Sequence, residues 1–371
     1  AGDVCEVKSA PAMNLIEHLE QVRDFRTQPR YPLSVILLLI IMGVMSGCTG
    51  YRALEDFVAR HQKALLEVMD LPFKRLPCFS TLRRTMVRVD FKSMTNAFNA
   101  WAQDTFAVSA HEQVAVDGKS IRASVRDYDK AYQDFVSIVS AFSVQQGVVI
   151  GLEPMSNLGG SEIVTVQTLL DLLKLKGVCL SFDALHAQKK TLQQIIESGN
   201  DYIVAVKANQ PTLLNELKTQ FEQMMPFSID TQVEQTRDRQ TQRTVSVLDT
   251  IERIDPRWVG VQRIIRVERS GTRANQPYDE TIFYISSLAM DAADFAQRIR
   301  DHWHIENCLH WPKDVVLKED DSPVCDGYAL INFAIVRTIA VNLFRKAGFK
   351  SVTKGLRHLA HDIPQLFSFF Q

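Results

Sequence analysis

The order of apolar runs along the chain predicts an α/β fold: a mixed β-sheet with helices on its faces, interrupted by a strand-rich insertion and preceded by a small helical domain. Three observations lead there. Residues 13–107 carry apolar side chains at three- and four-residue spacing, the period of a helix. From Val114 the pattern changes to short apolar, β-branched runs at 114–121, 137–144 and 148–153, then alternates as helix 163–175, strand 178–182, helix 187–198 and strand 202–207. Beyond a helix at 212–225, residues 233–248, 258–269 and 281–286 read as further strands, and helical spacing returns from Asp291 to the end.

Within the helical domain, 14–22 is amphipathic and Pro32 suits a helix start. The run 35–45, Val-Ile-Leu-Leu-Leu-Ile-Ile-Met-Gly-Val-Met, is apolar on every side. A bilayer span needs about 20 such residues, so this is a helix buried in protein and no membrane is expected. Helices follow at 51–69, from 80 with Ser80 as cap, and at 90–107, while residues before Met13 look irregular. A hairpin meander followed by crossover units implies parallel and antiparallel pairs in one sheet. Strand, strand, strand, helix, strand, helix, strand is the ribonuclease H-like order, in which the first strand is central and the fourth lies beside it. The expected divisions are a helical domain at 13–107 for DNA binding or synapsis, the first part of the core at 108–225, a β-rich insertion at 226–290, and a helical completion of the core at 291–371.

With 371 residues, 46% of them hydrophobic, the chain can bury large cores in two or three domains. A net charge of -1 gives no overall basic excess, so nucleic-acid binding would depend on local patches. Two exist: nine arginines against five acids between Arg237 and Arg273, and the group Lys74, Arg75, Arg83, Arg84 and Arg88. Either is also what a solvated face looks like. The six cysteines are scattered without a Cys-x-x-Cys pair, which fits free thiols in a reducing cytoplasm and argues against a structural zinc.

The chemistry sits in three carboxylates. Asp117 lies in the strand-like run Val114-Ala115-Val116-Asp117-Gly118, Asp183 closes Val178-Cys179-Leu180-Ser181-Phe182, and Glu306 falls on a helical segment. Two aspartates at adjacent strand ends and a glutamate on a helix suit hard divalent cations and phosphoryl transfer. Phe295, Ile299, His302, Glu306, Leu309 and Lys313 are spaced by four and three, one helical stripe, with Pro312 placed to kink it. Each piece also has a plainer reading: Asp117-Gly118 as a turn, Asp183 as a helix cap, Glu306 paired with His302 or His310. His302, Glu306 and His310 at i, i+4 and i+8 form a rival, weakly signalled zinc set. Trp303 and Trp311 are expected in the core.

These residues sit in blocks that resemble a known family. Val116-Asp117-Gly118-Lys119-Ser120-Ile121-Arg122, Phe182-Asp183-Ala184 with Gln188-Lys189, 201–210, Tyr284-Ile285-Ser286-Ser287-Leu288 and 302–311 followed by Asp314-Val315 look like the bacterial ISAs-type, H-repeat-associated insertion-sequence transposases. Nearly the whole chain takes part, since Leu19-Glu20 to Ala100-Trp101 resembles the associated helical domain. The resemblance implies a DDE transposase that cuts and joins DNA at the terminal repeats of its element. Asp117, Asp183 and Glu306 would be its triad and its metal ligands, holding two Mg²⁺, or Mn²⁺ as a substitute, about 4 Å apart. Lys207, Asn209, Gln210, His302 and Lys313 would contact DNA or phosphate, and Arg239 and Arg243 would grip the element end; Lys207 and Asn209 also suit a plain turn after a strand. In a related Tyr-Arg-Glu-Lys pattern Ile299 and His302 replace the first two residues, Thr241 replaces an acidic residue, and Gly159-Gly160-Ser161-Glu162 departs from Lys-Ser-Asn-Glu. The partner would be double-stranded DNA, in a homodimeric synaptic complex, in the bacterial cytoplasm at the nucleoid. The alternatives are a ribonuclease H-like nuclease without strand transfer, and a decayed or domesticated copy that binds DNA without cutting.

Overall fold

Asn14 starts the first helix with a reciprocal cap. Its Oδ1 accepts from the Glu17 N–H at 3.0 Å, and Glu17 Oε2 accepts from the Asn14 N–H at 2.7 Å. This computed structural model describes residues 13–121, 136–156, 160–236, 239–249, 251, 253–273, 276–324 and 328–371. The irregular leader before Met13 and the pair Arg237-Asp238 lie outside them. The described chain forms two compact units, residues 13–107 with 312–371, and residues 108–311.

The first unit begins with α1 (Leu15–Glu20), α2 (Leu33–Met45), α3 (Tyr51–Arg60), α4 (Gln62–Val68), α5 (Phe79–Arg88) and α6 (Phe91–Thr105). Pro32 stands at the N-cap of α2, all thirteen residues of which are buried. A helix apolar all round needs protein on every side, and α1, α3 and α5 supply part of that cover. Two expectations are corrected here. The run 51–69 breaks at His61 into α3 and α4. Helix α5 starts one residue before Ser80, with Cys78 at the N-cap and no side-chain cap, because the extended backbone at Cys78 already sets the entry.

The second unit is built on β1 (Gln113–Ser120), β2 (Val136–Ser143), β3 (Val148–Ser156), α7 (Glu162–Leu173), β4 (Cys179–Phe182), α8 (Lys189–Glu197), β5 (Asp201–Val206), α9 (Pro211–Gln223), β6 (Ser228–Thr236), β7 (Arg239–Leu248), β8 (Arg263–Arg273), β9 (Gln276–Ser286) and α10 (Ala292–His302). Nine strands make one mixed sheet in the order β3-β2-β1-β4-β5-β9-β8-β7-β6. Strands β3-β2-β1-β4-β5 follow the ribonuclease H-like order, with β1 antiparallel to β2 and parallel to β4. Val114, Ala115 and Val116 are wholly buried, as a central strand covered on both faces requires. The insertion extends this same sheet, because β9 pairs with β5 from Ile203↔Ser286 to Val206↔Phe283. Its strands differ in extent from the sequence reading. The run 233–248 is a hairpin of two strands, and β8 starts at Arg263, since Trp258 sits in a turn whose N–H donates to Asp255 O at 2.9 Å.

The C-terminal helices are α11 (Ala329–Lys346), α12 (Val352–Leu359) and α13 (Ile363–Ser368). They correct the expected division 291–371. Residues from 312 onward belong to the helical unit, because α11 is buried from Ala329 to Phe344 and packs on α2, α5 and α6. Among the described residues, no helix is long and apolar enough to cross a membrane. Asn332, fully buried on α11, donates through Nδ2 to Met86 O at 2.9 Å and Val89 O at 3.0 Å, carbonyls that the end of α5 leaves unpaired. Asn332→Ala is expected to lower unfolding stability by about 1–3 kcal/mol, from two buried acceptors left unmet. Urea denaturation of both chains measures it.

Candidate active site

Asp117 and Asp183 come together because β1 and β4 run in parallel. Their register ends at Ala115↔Ser181. Continued by two residues on each strand, it sets the two aspartates side by side just beyond the parallel pairing. Asp183 follows the end of β4, whereas Asp117 and Gly118 lie within β1, paired with Ser140 and Val139 of β2, so the Asp-Gly turn read from the sequence is not formed. Asp183 also caps the short turn that follows, accepting from the Leu185 N–H at 2.8 Å. Glu306 arrives from the segment after α10, where the helix widens to five-residue turns at Glu306–His310. The Trp311 N–H reaches back to Glu306 O, and the next residue is Pro312, which cannot donate. Such wide turns change the angular step per residue, so the even stripe read from spacing does not persist through Glu306. Ile299 and Leu309 remain buried while Glu306 is exposed.

The result is a cavity of about 230 Å³ lined by Asp117, Asp183, Lys207, His302 and Glu306, among others. Ligand atoms of Asp117, Glu306 and His310 lie within 4.8 Å of one another. His310, 3% exposed, stands 3.2 Å from Asp117 Oδ2 through Nε2. Its place beside Asp117 is new relative to the sequence reading, which has it as a partner of Glu306 or as a member of the zinc set. The wide turn brings it there.

His302 is poised as a neutral donor. Gln113 Nε2 bonds Arg298 O at 2.8 Å, and a carbonyl only accepts, so the amide orientation is fixed. The same nitrogen donates to Ser181 Oγ at 3.1 Å. Ser181 Oγ lies 2.9 Å from His302 Nδ1, and with the serine hydroxyl donating there the ring proton sits on Nε2. Burial holds His302 below the ordinary histidine range, against the upward pull of Asp117 and Asp183. Beneath the cavity, burial pushes the Tyr284 phenol up to about 12, so it stays neutral as well.

The remaining sequence candidates divide. Lys207 is exposed at the cavity. Asn209 Nδ2 donates to Ala184 O at 2.7 Å and Gln210 Nε2 to Ala187 O at 2.8 Å, so both brace the turn behind Asp183. Arg243 faces Glu234 at 3.6 Å, and the side chain of Arg239 lies outside the described residues. Lys313 belongs to the helical unit, where it is 3% exposed and its Nζ is 3.2 Å from Glu319. Trp303 and Trp311, expected in the core, are 51% and 52% exposed; Trp303 stands at the C-cap of α10 and Trp311 at the end of the wide turns.

Glu162 is a fourth carboxylate that sequence reasoning left without a role. Its Oε1 lies 3.0 Å from Nε2 of the fully buried His186, three residues after Asp183. A Cβ on Gly118 would fall 2.6–2.8 Å from the Glu162 carboxyl group. Glycine directly after Asp117 in β1 therefore leaves room for the Glu162 carboxyl group, which pairs with His186 in the turn after Asp183. The signal available was the conjunction of Asp-Gly with an isolated Ser-Glu helix start, and spacing alone cannot connect them.

Residues 109–343 match the family model described as Transposase DDE domain, and residues 16–102 match DDE_Tnp_1-associated. The chain is similar to the H repeat-associated protein YhhI of Escherichia coli (strain K12), 31% identical over 350 residues that cover 89% of each chain. Protein YbfL of the same strain is 31% identical, with 89% of each chain covered. Among solved structures, a piggyBac transposase synaptic complex with hairpin DNA aligns at TM-score 0.46 and 11% identity, covering 95% of this chain and 78% of that one.

Gly118→Ala is expected to destabilise the fold by about 1–3 kcal/mol through overlap with Glu162, and Glu162→Ala in the same chain to recover part of that loss; thermal melting of the single and double variants measures both. His302 gives a pH signature. Its folded value lies below its unfolded one, so the unfolded chain binds the proton more readily, and stability falls as pH drops through and below 6.5, the ordinary value. His302→Asn, which keeps an acceptor for Ser181, should flatten that acid-side slope in melts taken across the range.

Proposed function

The chain belongs to the Transposase DDE domain family, and from that premise we propose that it cuts double-stranded DNA at the ends of an insertion sequence and joins the freed ends to a target. The observation that carries the reading is the approach of Asp117, Glu306 and His310 within 4.8 Å at the cavity that Asp183 also lines. The two carboxylates offer hard oxygens that suit Mg²⁺ or Mn²⁺, and a cation held between them would offset their mutual repulsion. Asp117, Asp183 and Glu306 would hold two such ions, with His310 supporting Asp117. When bound, these supply an acidified water and stabilise charge on the phosphate oxygens.

The chain's own groups then have separate tasks. Lys207, exposed at the cavity, offers a cation to the DNA backbone. His302 presents a neutral Nε2–H, a donor that keeps its proton at neutral pH. Asn209 and Gln210 act indirectly, holding the turn of Asp183 through Ala184 and Ala187. Arg239 on β7 remains a proposed contact to the element end. Lys313, buried against Glu319, is left out of this assignment. Pairing two element ends calls for at least two copies of the chain.

A duplex carrying the flanking element ends tests the proposal. With Mg²⁺ or Mn²⁺ the chain should nick at the ends and yield joined products, and Asp117→Ala, Asp183→Ala and Glu306→Ala should each lower cleavage by more than about 10²-fold. Cleavage without joined products would identify a nuclease. Binding without any metal-dependent cleavage would leave a DNA-binding relative that has lost catalysis.

A further inference from the structure

The helical unit contains a concave groove of about 700 Å³, formed between the segment 25–31 and the region of α5, onto which Arg26, Arg30, Arg75, Arg84 and Arg88 converge. We propose that this groove binds the phosphate backbone of duplex DNA, as a second contact surface separate from the carboxylate cavity. The inference rests on the transposase reading above for the identity of the polyanion, while the site itself follows from charge and shape.

Charge comes first. Of the five guanidinium groups only Arg26 has a carboxylate partner, Asp24 at 2.7 Å. Among the described residues Arg30, Arg75, Arg84 and Arg88 are exposed and none has a carboxylate in ion-pair contact, and no acidic side chain lines the groove. A chain with net charge -1 has acids enough to neutralise such a cluster. Like charges gathered in a concavity raise its potential and focus it on an anion.

Order comes second, and it separates this groove from an ordinary solvated face. Arg88 lies over the Phe25 ring at 4.8 Å and Arg30 over Tyr31 at 5.5 Å, so aromatic faces hold the stems of two guanidinium groups. Tyr31 is itself fixed, its hydroxyl donating to Arg75 O at 2.9 Å and its carbonyl accepting from Arg26 at 2.9 Å. Arg84 and Arg88 are four residues apart on α5, one turn, and therefore point along the same side. Guanidinium forks spread along a groove match successive phosphates better than a single small anion. At the start of α5, Cys78 lines the groove too; hydrogen bonds from Ser80 and Thr81 bring its thiol down to about 7. That makes Cys78 a built-in probe of occupancy.

The experiment measures binding of the full chain to a labelled duplex in EDTA, where the carboxylate site is silent, across a salt series. Arg84→Ala/Arg88→Ala should weaken binding about 10-fold or more near 0.1 M salt and lower the slope of log K against log salt by about 2, one for each phosphate that an arginine no longer neutralises. Saturating duplex should also slow iodoacetamide alkylation of Cys78 in the unaltered chain, read by peptide mass spectrometry, which keeps the test decisive if the double variant misfolds. Unchanged slope and affinity in a folded double variant, or a Cys78 equally reactive with and without duplex, overturns the groove while leaving cleavage by the carboxylate site standing. Failure of the unaltered chain to bind any duplex, together with no metal-dependent cutting, would instead remove the transposase reading. Stronger binding of the groove to anionic lipid vesicles than to duplex would overturn the choice of DNA.

Discussion

Parallel pairing of β1 with β4 is the constraint on which the catalytic unit depends. Two carboxylates side by side repel, and neither would be tolerated inside a sheet covered on both faces. The chain resolves this by burying Val114 to Val116 and Cys179 to Phe182 as apolar strands and placing each aspartate just where the shared ladder stops. The apolar strands supply rigidity, and the strand ends supply solvent access. Every other feature of the site either approaches this pair or holds it in place.

Support comes from side chains that never need to touch a substrate. Asn209 and Gln210 hold carbonyls of the turn behind Asp183, and the Glu162–His186 pair packs against Gly118, the strand residue after Asp117. Gln113, Ser181 and His302 form a buried chain of hydrogen bonds whose direction is set by one carbonyl, that of Arg298. Precise placement of this kind is what phosphoryl transfer demands, since the protein's share of that chemistry is geometry and field. The polar network is costly to bury unless fully paired, which makes its members sensitive positions.

Wide helical turns at Glu306–His310 do for the third carboxylate what the end of the β1–β4 ladder does for the first two. A regular helix would have kept Glu306 in line with buried Ile299 and Leu309. The altered winding before Pro312 instead exposes Glu306, brings His310 to Asp117, and leaves Trp311 toward solvent. Irregular winding here stores function in a local departure from the favoured geometry.

Local sequence determined much of this protein. Period and composition gave the helical domain, the strand order, Asp117 on the first strand and Asp183 at the end of the fourth, because alternation and apolar runs report directly on burial; that β1 runs on past Asp117 to Ser120 was not legible. The parallel β1–β4 neighbourhood followed from connection rules, and with it the adjacency of two distant aspartates. Tertiary structure decided what spacing cannot encode. Residues 312–371 joined the N-terminal helices because α11 is buried around its circumference and packs on α2, a choice invisible from either helix alone. Lys313, on the expected stripe, turned out to be held by Glu319, six residues away, and Glu162 found Gly118 and His186 across the fold. Burial is a property of each residue and its near neighbours, and so it is written along the chain. The partner of a buried charge is set only when distant segments meet.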